Sequence, residues 1–332
     1  MTSSFNPYGV IGAGAWGTAL ALTLRRTGHS VTLWARSPVL AALITEKREN
    51  AGYLPGARLD SELKITANLA DLAACKALIV AVPAQHVRAT CRALAPLCTT
   101  KQPVILAAKG VELTTHRLMS EVAAAEMPDH PLFILSGPSF AQEVAAGLPA
   151  ALTLAGESGV EDLARDMNSA LLRLYTTDDI IGTQIGGAIK NVLAIACGIV
   201  AGRAMGENAR AALMTRGLAE IMRLGSALGA RPETLTGLSG LGDVVLSCSS
   251  IQSRNMSLGY ALGQGKTLED ILANRHGVTE GITTAAAALG LAFRHGVEMP
   301  VTSAVDRILR EKASIDLVIS ELLNRPLRTE AA

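Results

Sequence analysis

The feature that most constrains this chain is a glycine-rich turn near its beginning. Residues 12–17 read Gly-Ala-Gly-Ala-Trp-Gly and follow the G-x-G-x-x-G pattern. The apolar run YGVI precedes them, a helical segment begins within them, and a second apolar run, VTLWA, comes after. In this strand–turn–helix–strand order the pattern indicates a dinucleotide site rather than an ordinary glycine-rich turn. Gly12 allows the tight turn, Gly14 lets backbone amides approach a pyrophosphate, and Gly17 lets helix and strand pack closely.

The end of the second apolar run bears on which nicotinamide cofactor would bind. In NAD-binding chains an acid about 20 residues beyond the glycines reads the ribose 2′-hydroxyl. This chain has Trp34-Ala35-Arg36-Ser37 there, and the next acid is Glu46. Arg36 can pair with a 2′-phosphate or stack on adenine. We therefore expect NADP(H), with NAD(H) tolerated, although Arg36 could also be a solvated surface charge.

Apolar runs and helical segments alternate through the first half of the chain, which is typical of βαβ units and a mostly parallel sheet. The apolar runs lie at 8–11, 31–34, 77–82, 104–107, 132–135 and 151–154. From 179 to 323 helical segments dominate, with GLSGLG at 237–242 expected as a flexible loop. The pattern predicts an α/β fold with a Rossmann-like dinucleotide-binding domain at 1–186, followed by an all-α substrate domain at 187–332.

Charge and composition exclude several classes of protein. The chain has 30 Lys and Arg against 29 Asp and Glu, a net charge of +1, and 3% aromatic residues. This balance argues against a nucleic-acid partner, because such proteins use basic surfaces and stacking aromatic side chains. The five scattered cysteines contain no C-x-x-C pair, which suits a reducing compartment. With no leader-peptide pattern at the start either, we expect a cytoplasmic protein.

A lysine interrupts the most apolar stretch of the chain. Residues 185–205 contain Lys190, Asn191 and Arg203, so we expect a buried helix rather than a membrane span. A desolvated lysine suits proton transfer near neutral pH, and reduction of a ketone needs a group that supplies the hydroxyl proton. Lys190 is therefore a candidate general acid/base, the alternative being a lysine that extends past a glycine-rich helix end to solvent. No histidine or cysteine spacing indicates a metal site.

Six segments, in this order along the chain, carry a family resemblance. They are GAGAWGTALA (12–21), AAKGVE (107–112), SGPSFAQEV (136–144), GGAIKNVLAIACGIVAG (186–202), SGLGDVVLSCSSIQSRN (239–255) and HGVTEGITT (276–284). Over nearly its whole length the chain resembles the bacterial NAD(P)-dependent sn-glycerol-3-phosphate dehydrogenases, whose helical domain is of the 6-phosphogluconate-dehydrogenase type. The resemblance implies reduction of dihydroxyacetone phosphate to sn-glycerol 3-phosphate with NAD(P)H, which feeds phospholipid synthesis.

The resemblance also implies roles for individual residues. Lys190 matches the family's catalytic proton donor and acceptor, and Lys109 and Asp243 are expected beside it. Substrate contacts are expected from Lys109, Gly137, Ser139, Lys190, Asp243, Ser253, Arg254 and Asn255. Cofactor contacts are expected from Ala15, Trp16, Arg36, Tyr53, Lys109, Ala141, Arg254, Val278 and Glu280, in addition to Gly12, Gly14 and Gly17. An arginine and free N–H groups at a helix start suit a phosphate dianion, and a carboxylate such as Asp243 would hold Lys190 in place.

Two alternatives fit part of the pattern. A reductase of the same architecture could act on a carboxylate, such as a β-hydroxyacid or ketopantoate, with the same glycine turn and a lysine. A dinucleotide sensor without turnover would keep the turn but would need neither Lys190 nor Asp243. The combination of GPSFA and Ser253-Arg254-Asn255 favours a phosphorylated substrate. We also expect a homodimer, because the alanine- and glycine-rich second half can pack helix on helix.

Overall fold

The computed structural model describes residues 6–99, 101–275 and 277–326, and within these the first part of the chain forms one eight-stranded sheet. His276, the first residue of one motif, lies outside this set. The strands are β1 (Tyr8–Ile11), β2 (Val31–Trp34), β3 (Lys64–Thr66), β4 (Ala77–Val80), β5 (Val104–Leu106), β6 (Leu132–Ser136), β7 (Ala150–Ala155) and β8 (Leu172–Thr177). They lie in the order β3-β2-β1-β4-β5-β6-β7-β8. All neighbouring pairs are parallel except β6 with β7.

Six α-helices cover the two faces of this sheet. They are α1 (Ala15–Arg26), α2 (Pro38–Lys47), α3 (Val87–Leu94), α4 (Met119–Glu126), α5 (Ala141–Ala146) and α6 (Val160–Met167), with short 3₁₀ turns at Leu69–Leu72, Ala84–His86 and Ala95–Leu97. Because successive strand residues point to opposite faces, neighbours in a strand enter different cores. Val10 packs in the core shared with α1, α2, α5 and α6, whereas Ile11 packs in the core shared with α3 and α4. Burial on both faces explains the continuous apolar runs.

The remaining helices build a second unit around one long central helix. They are α7 (Ile180–Gly202), α8 (Glu207–Ala227), α9 (Pro232–Thr236), α10 (Asp243–Ser249), α11 (Arg254–Gly263), α12 (Leu268–Ala273), α13 (Glu280–Arg294), α14 (Pro300–Arg310) and α15 (Ile315–Leu323). The helix α7 is long and apolar enough to cross a membrane, but 83% of its most apolar 18-residue window is buried inside the protein. It therefore serves as the core of the helical unit.

Glycines let α11 lie directly against α7. A Cβ at Gly259 of α11 would stand 2.0 Å from the carbonyl oxygen of Ile195, and a Cβ at Gly198 of α7 would stand 2.2 Å from that of Met256. Each distance is far below van der Waals contact, so the two backbones approach as closely as they do only because both positions lack side chains. This contact fixes where α11 begins relative to α7.

The predicted α/β class, with a parallel-dominated sheet followed by helices, is confirmed. Two strands, the three-residue β3 and the six-residue β8, were not predicted. The prediction of a flexible loop at 237–242 is wrong: Leu238–Gly242 forms a π-helical turn, in which Gly242 N–H donates to Gly237 O at 3.0 Å. The turn is tight because a Cβ at Gly240 would lie 1.8 Å from Leu235 O. Glycine here permits close packing rather than mobility.

Candidate active site

The glycine turn lies at the carboxyl end of β1, where the strand order reverses and α/β sheets bind ligands. Gly12 has φ +115°, and a Cβ there would lie 2.7 Å from Ala81 O of the adjoining strand end. A Cβ at Gly17 would lie 2.0 Å from Gly12 O, so helix and turn pack without space for a side chain. A Cβ at Gly14 meets nothing within 4 Å. The turn is thus packed tightly behind and open in front, at the N-terminus of α1, which fits a pyrophosphate.

Other residues expected at the cofactor come from both structural units. Arg36 is exposed just beyond β2 and makes no ion pair with another described residue. Tyr53 and Arg254 converge from the two units: a Cβ at Gly277 would stand 3.9 Å from the Tyr53 ring and 3.0 Å from an Arg254 nitrogen. The remaining candidates are Ala15 and Trp16 in the first turn of α1, Ala141 at the start of α5 and the exposed Val278.

Glu280, the last of the expected cofactor residues, begins α13 and joins the two units. Its Oε1 accepts a hydrogen bond from Ala84 N at 3.1 Å, beyond the end of β4. Its Oε2 is buried and has no partner among the described residues. Burial raises the pKa of this carboxyl to about 7, and the Ala84 N–H and the Arg254 charge only partly oppose the rise. Glu280 therefore changes charge near neutral pH.

Two lysines share one buried carboxylate between the sheet and the helical unit. Lys190 Nζ of α7 lies 2.9 Å from Asp243 Oδ1 and donates to Ser247 Oγ at 2.7 Å. Lys109 Nζ, beyond the end of β5, donates to Asp243 Oδ2 at 2.5 Å and to Gly137 O at 2.8 Å. The Asp243 side chain is 1% exposed, against 12% for Lys190 and 17% for Lys109. The carboxylate is thus enclosed, while each lysine side chain keeps a small exposed fraction.

The charges of this cluster depend on one another. Burial works to raise the pKa of Asp243, but Lys109 and then Lys190 outweigh it and hold the pKa below its ordinary value. Burial lowers the pKa of Lys109 to about 8; Asp243 opposes the change and Lys190 adds to it. At neutral pH the cluster therefore holds an ionised carboxylate and a protonated Lys109, an arrangement suited to an anionic ligand.

The remaining residues expected at the substrate lie on two neighbouring elements. Gly137 follows β6 with φ +137°, and its carbonyl accepts from both Lys109 Nζ and Ser139 Oγ. Ser253 caps α11, its Oγ accepting from Met256 N at 3.3 Å, so Arg254 occupies the first position of that helix. Asn255 Nδ2 donates to Asn191 Oδ1 and Asn255 Oδ1 accepts from Gly281 N. Its amide thus ties α11 to α7 and α13.

Sequence reasoning missed Ser247, which completes the lysine cluster. Its Oγ accepts from Lys190 and donates to Asp243 Oδ1 at 3.2 Å. The available signal was its spacing, because residues four apart on a helix share a face and Ser247 follows Asp243 by four. No group of three or more His, Cys, Asp or Glu side chains able to hold a metal occurs in the described part of the chain.

A dinucleotide turn at the switch point of the sheet and a lysine–carboxylate cluster on a helical unit together define a two-domain nicotinamide-dependent dehydrogenase. Residues 7–160 match the N-terminal part, and residues 179–320 the C-terminal part, of NAD-dependent glycerol-3-phosphate dehydrogenase. The chain belongs to the NAD-dependent glycerol-3-phosphate dehydrogenase family, which confirms the resemblance drawn from its motifs.

Individual relatives are similar over their whole length. The glycerol-3-phosphate dehydrogenase (NAD(P)+) of Caulobacter vibrioides is 53% identical over 332 residues, covering 99% of this chain and 100% of that protein. The crystal structure of glycerol-3-phosphate dehydrogenase from Coxiella burnetii superposes with a TM-score of 0.93 at 39% identity, covering 96% of this chain and 99% of that one. A ketopantoate reductase from Ralstonia eutropha reaches a TM-score of only 0.59 at 14% identity, covering 96% of this chain and 100% of that one, and so shares the fold alone.

Proposed function

We propose that this protein interconverts dihydroxyacetone phosphate and sn-glycerol 3-phosphate, using NADP(H) or NAD(H). The observation that carries the proposal is the Lys190–Asp243–Lys109 cluster at the sheet edge that also bears the dinucleotide turn. When bound, the nicotinamide supplies or accepts the hydride at its C4. The family and its relatives at about 50% identity, named glycerol-3-phosphate dehydrogenase (NAD(P)+), support the same reaction.

Lys190 is the proposed proton donor and acceptor. An ammonium group has three N–H donors, and here one faces Asp243 Oδ1 and one faces Ser247 Oγ. The third remains for the substrate oxygen at C2. In the reductive direction C2 gains a hydride and its oxygen takes this proton, which gives a neutral alcohol; in the oxidative direction Lys190 takes the proton back. Asp243 and Ser247 act by holding the donor in place.

Lys109 and the start of α11 are proposed to bind the substrate. Two N–H groups of Lys109 are directed to Asp243 and Gly137, so one remains for a ligand oxygen. Ser253, Arg254 and Asn255 open α11, where unpaired backbone N–H groups and a guanidinium fork suit the phosphate. Ser139, two residues beyond Gly137, is proposed to face the same ligand. The two ends of the substrate would thus contact different structural units.

The cofactor is proposed to lie along the opening in front of Gly14. Arg36, exposed and without an ion-pair partner among the described residues, suits a 2′-phosphate and supports use of NADP(H). The rest of the cofactor would be bordered by Tyr53, Arg254, Glu280, Ala15, Trp16, Ala141 and Val278. The packed turn and the helix N-terminus behind it would bind the pyrophosphate.

We further propose a domain boundary near residue 186, a homodimer and a cytoplasmic location, with the product entering phospholipid synthesis. The two family matches, at 7–160 and 179–320, support two functional parts, although α7 runs continuously through residue 186. The free cysteines and the buried α7 support a reducing compartment without a membrane span. Sedimentation analysis of the purified protein would test the dimer.

The deciding experiment follows loss of NADPH or NADH absorbance with dihydroxyacetone phosphate, with unphosphorylated dihydroxyacetone and with ketopantoate. We expect turnover with the phosphorylated ketone alone. The Lys190→Ala variant should lose roughly 10²–10⁴-fold in kcat while its affinity for NADPH stays near that of the wild type. The exposed Lys76→Ala variant is the matched control. Turnover of ketopantoate instead would refute the substrate, and near-wild-type kcat in Lys190→Ala would refute the role of the lysine.

A further inference from the structure

A buried asparagine outside every motif named above contacts the dinucleotide turn from behind. Asn50 lies three residues after α2 and is 1% exposed. Its Nδ2 donates to the carbonyl oxygen of Ala13, inside the turn, and to Thr18 Oγ1 of α1, each at 2.9 Å. One side chain thus bonds both the glycine turn and the helix that follows it.

The orientation of this amide sets the orientation of the turn. A carbonyl oxygen can only accept, so the NH₂ side of Asn50 must face Ala13. In a trans peptide the C=O and the following N–H point in opposite directions. Holding Ala13 O toward the interior therefore turns the Gly14 N–H toward the opening, where a Cβ at Gly14 would meet nothing within 4 Å. That N–H makes no hydrogen bond to another described residue.

Asn50 also anchors the segment that carries Tyr53. Its own carbonyl oxygen accepts from Tyr53 N at 3.1 Å and from Leu54 N at 2.7 Å. Leu54 is 1% exposed, which fixes this short turn against the core, whereas Tyr53 is 42% exposed. A single residue thereby sets the spacing between the glycine turn and the tyrosine expected at the cofactor.

One polar atom of the Asn50 side chain is unpaired in the interior that the structure describes. Its Oδ1 is buried with no hydrogen-bond partner among the described residues. An unpaired buried acceptor is unfavourable, and such groups in folded proteins call for a specific reason. The hydrogen bond to Ala13 O is such a reason, because an apolar side chain at position 50 would leave that carbonyl oxygen without its donor.

We infer that Asn50 is a positioning residue for the dinucleotide turn: it holds Ala13 O inward so that Gly14 N–H is presented to the cofactor pyrophosphate. The inference rests on the proposed nicotinamide cofactor and concerns affinity for it, not the chemical step. Asn50 would touch neither cofactor nor substrate. Its loss should therefore separate the two ligands, weakening NADPH binding while leaving dihydroxyacetone phosphate binding and kcat nearly unchanged.

The test measures NADPH dissociation constants by fluorescence titration, and KM and kcat at saturating NADPH. Asn50→Leu has a similar size and adds no charge; we expect at least about a tenfold rise in the NADPH Kd, with kcat and the substrate KM within about twofold of the wild type. Thr18→Val is the matched control, because it removes the other acceptor and leaves the Ala13 contact. The NADPH Kd of Thr18→Val should stay within about twofold of the wild-type value, although the melting temperature of this variant, like that of Asn50→Leu, should fall.

Each outcome bears on the inference. Equal losses of NADPH affinity in Asn50→Leu and Thr18→Val would overturn it, since both would then reflect general loosening of the fold. An unchanged Kd in a folded Asn50→Leu would overturn it too. If circular dichroism shows that this variant does not fold, the smaller Asn50→Ser is used, with the same expected separation of NADPH Kd from substrate KM. Failure of the wild type itself to bind NADPH would instead refute the proposed cofactor.

Discussion

Replacing Glu280 with glutamine should stabilise the ligand-free protein, and the gain should depend on pH in a defined way. The folded carboxyl keeps its proton up to a pKa of about 7, whereas the ordinary value is 4.5. Between these values the folded state binds more protons than the unfolded chain, so this group lowers stability as pH rises through that window. Above about pH 7 the whole penalty is present.

The size of the effect follows from the same two values. A rise in pKa from 4.5 to about 7 on folding corresponds to about 3 kcal/mol. Glutamine has the same shape and keeps an oxygen for the Ala84 N–H, but it carries no charge to desolvate. The free energy of unfolding of Glu280→Gln should therefore exceed that of the wild type by about 3 kcal/mol at about pH 8 and by less than about 1 kcal/mol at about pH 5.

Urea unfolding followed by circular dichroism at both pH values provides the measurement, with NADPH and substrate left out. Glu157→Gln, at an exposed position in the turn before α6, removes a charge without relieving burial and should show no such pH dependence. A gain of equal size at both pH values, or no gain at about pH 8, would show that desolvation does not govern the charge of Glu280.

Two further predictions concern the lysine cluster and the central helices. Because the pKa of Lys109 is about 8, its proton is lost as pH rises past that value, so the KM for dihydroxyacetone phosphate should rise, by up to about tenfold per pH unit. Steady-state kinetics should show a flatter profile for Lys109→Arg, and a flat wild-type profile would contradict the assignment. In Gly259→Ala, the added Cβ would meet Ile195 O at 2.0 Å and should destabilise the protein by about 1–3 kcal/mol in urea unfolding. In Gly52→Ala, the Cβ meets nothing within 4 Å, so equal effects of the two substitutions would refute the packing argument.

The sheet was predictable where strands are buried on both faces and unpredictable where they are not. The inner strands β1, β4 and β5 are continuous apolar runs. The two strands that were missed, β3 and β8, lie at opposite edges of the sheet and expose much of their length. The start of α2 does carry a recognised signal, with Ser37 at the N-cap and Pro38 at the first helical position.

The sequence suggested candidate residues for the site but not how they are arranged. Lys190 was a candidate because an apolar helix rarely carries an uncompensated charge. Its compensation by Asp243 was anticipated, whereas the sharing of that carboxylate with Lys109 was not. Lys109 and Asp243 lie 134 positions apart, and no local pattern reports a contact of that range. The role of Asn50 was unpredictable for the same reason, since its hydrogen bond to Ala13 spans 37 positions and neither residue belongs to a pattern that indicates the contact.

The antiparallel pairing of β6 with β7 makes helix length a component of the active site. Since β7 and β8 run against β6, the chain leaves β8 heading away from the edge that carries the dinucleotide turn, and α7 must travel back to it. It reaches that edge at Gly187, where a Cβ would stand 2.4 Å from Ser136 Oγ at the end of β6, and Lys190 follows one turn later. Each residue advances an α-helix by about 1.5 Å and turns it by about 100°. A single residue gained or lost between Ile180 and Lys190 would therefore leave the helix intact but point the lysine away from Asp243. The number of residues in this stretch thus determines the site as much as the lysine itself does.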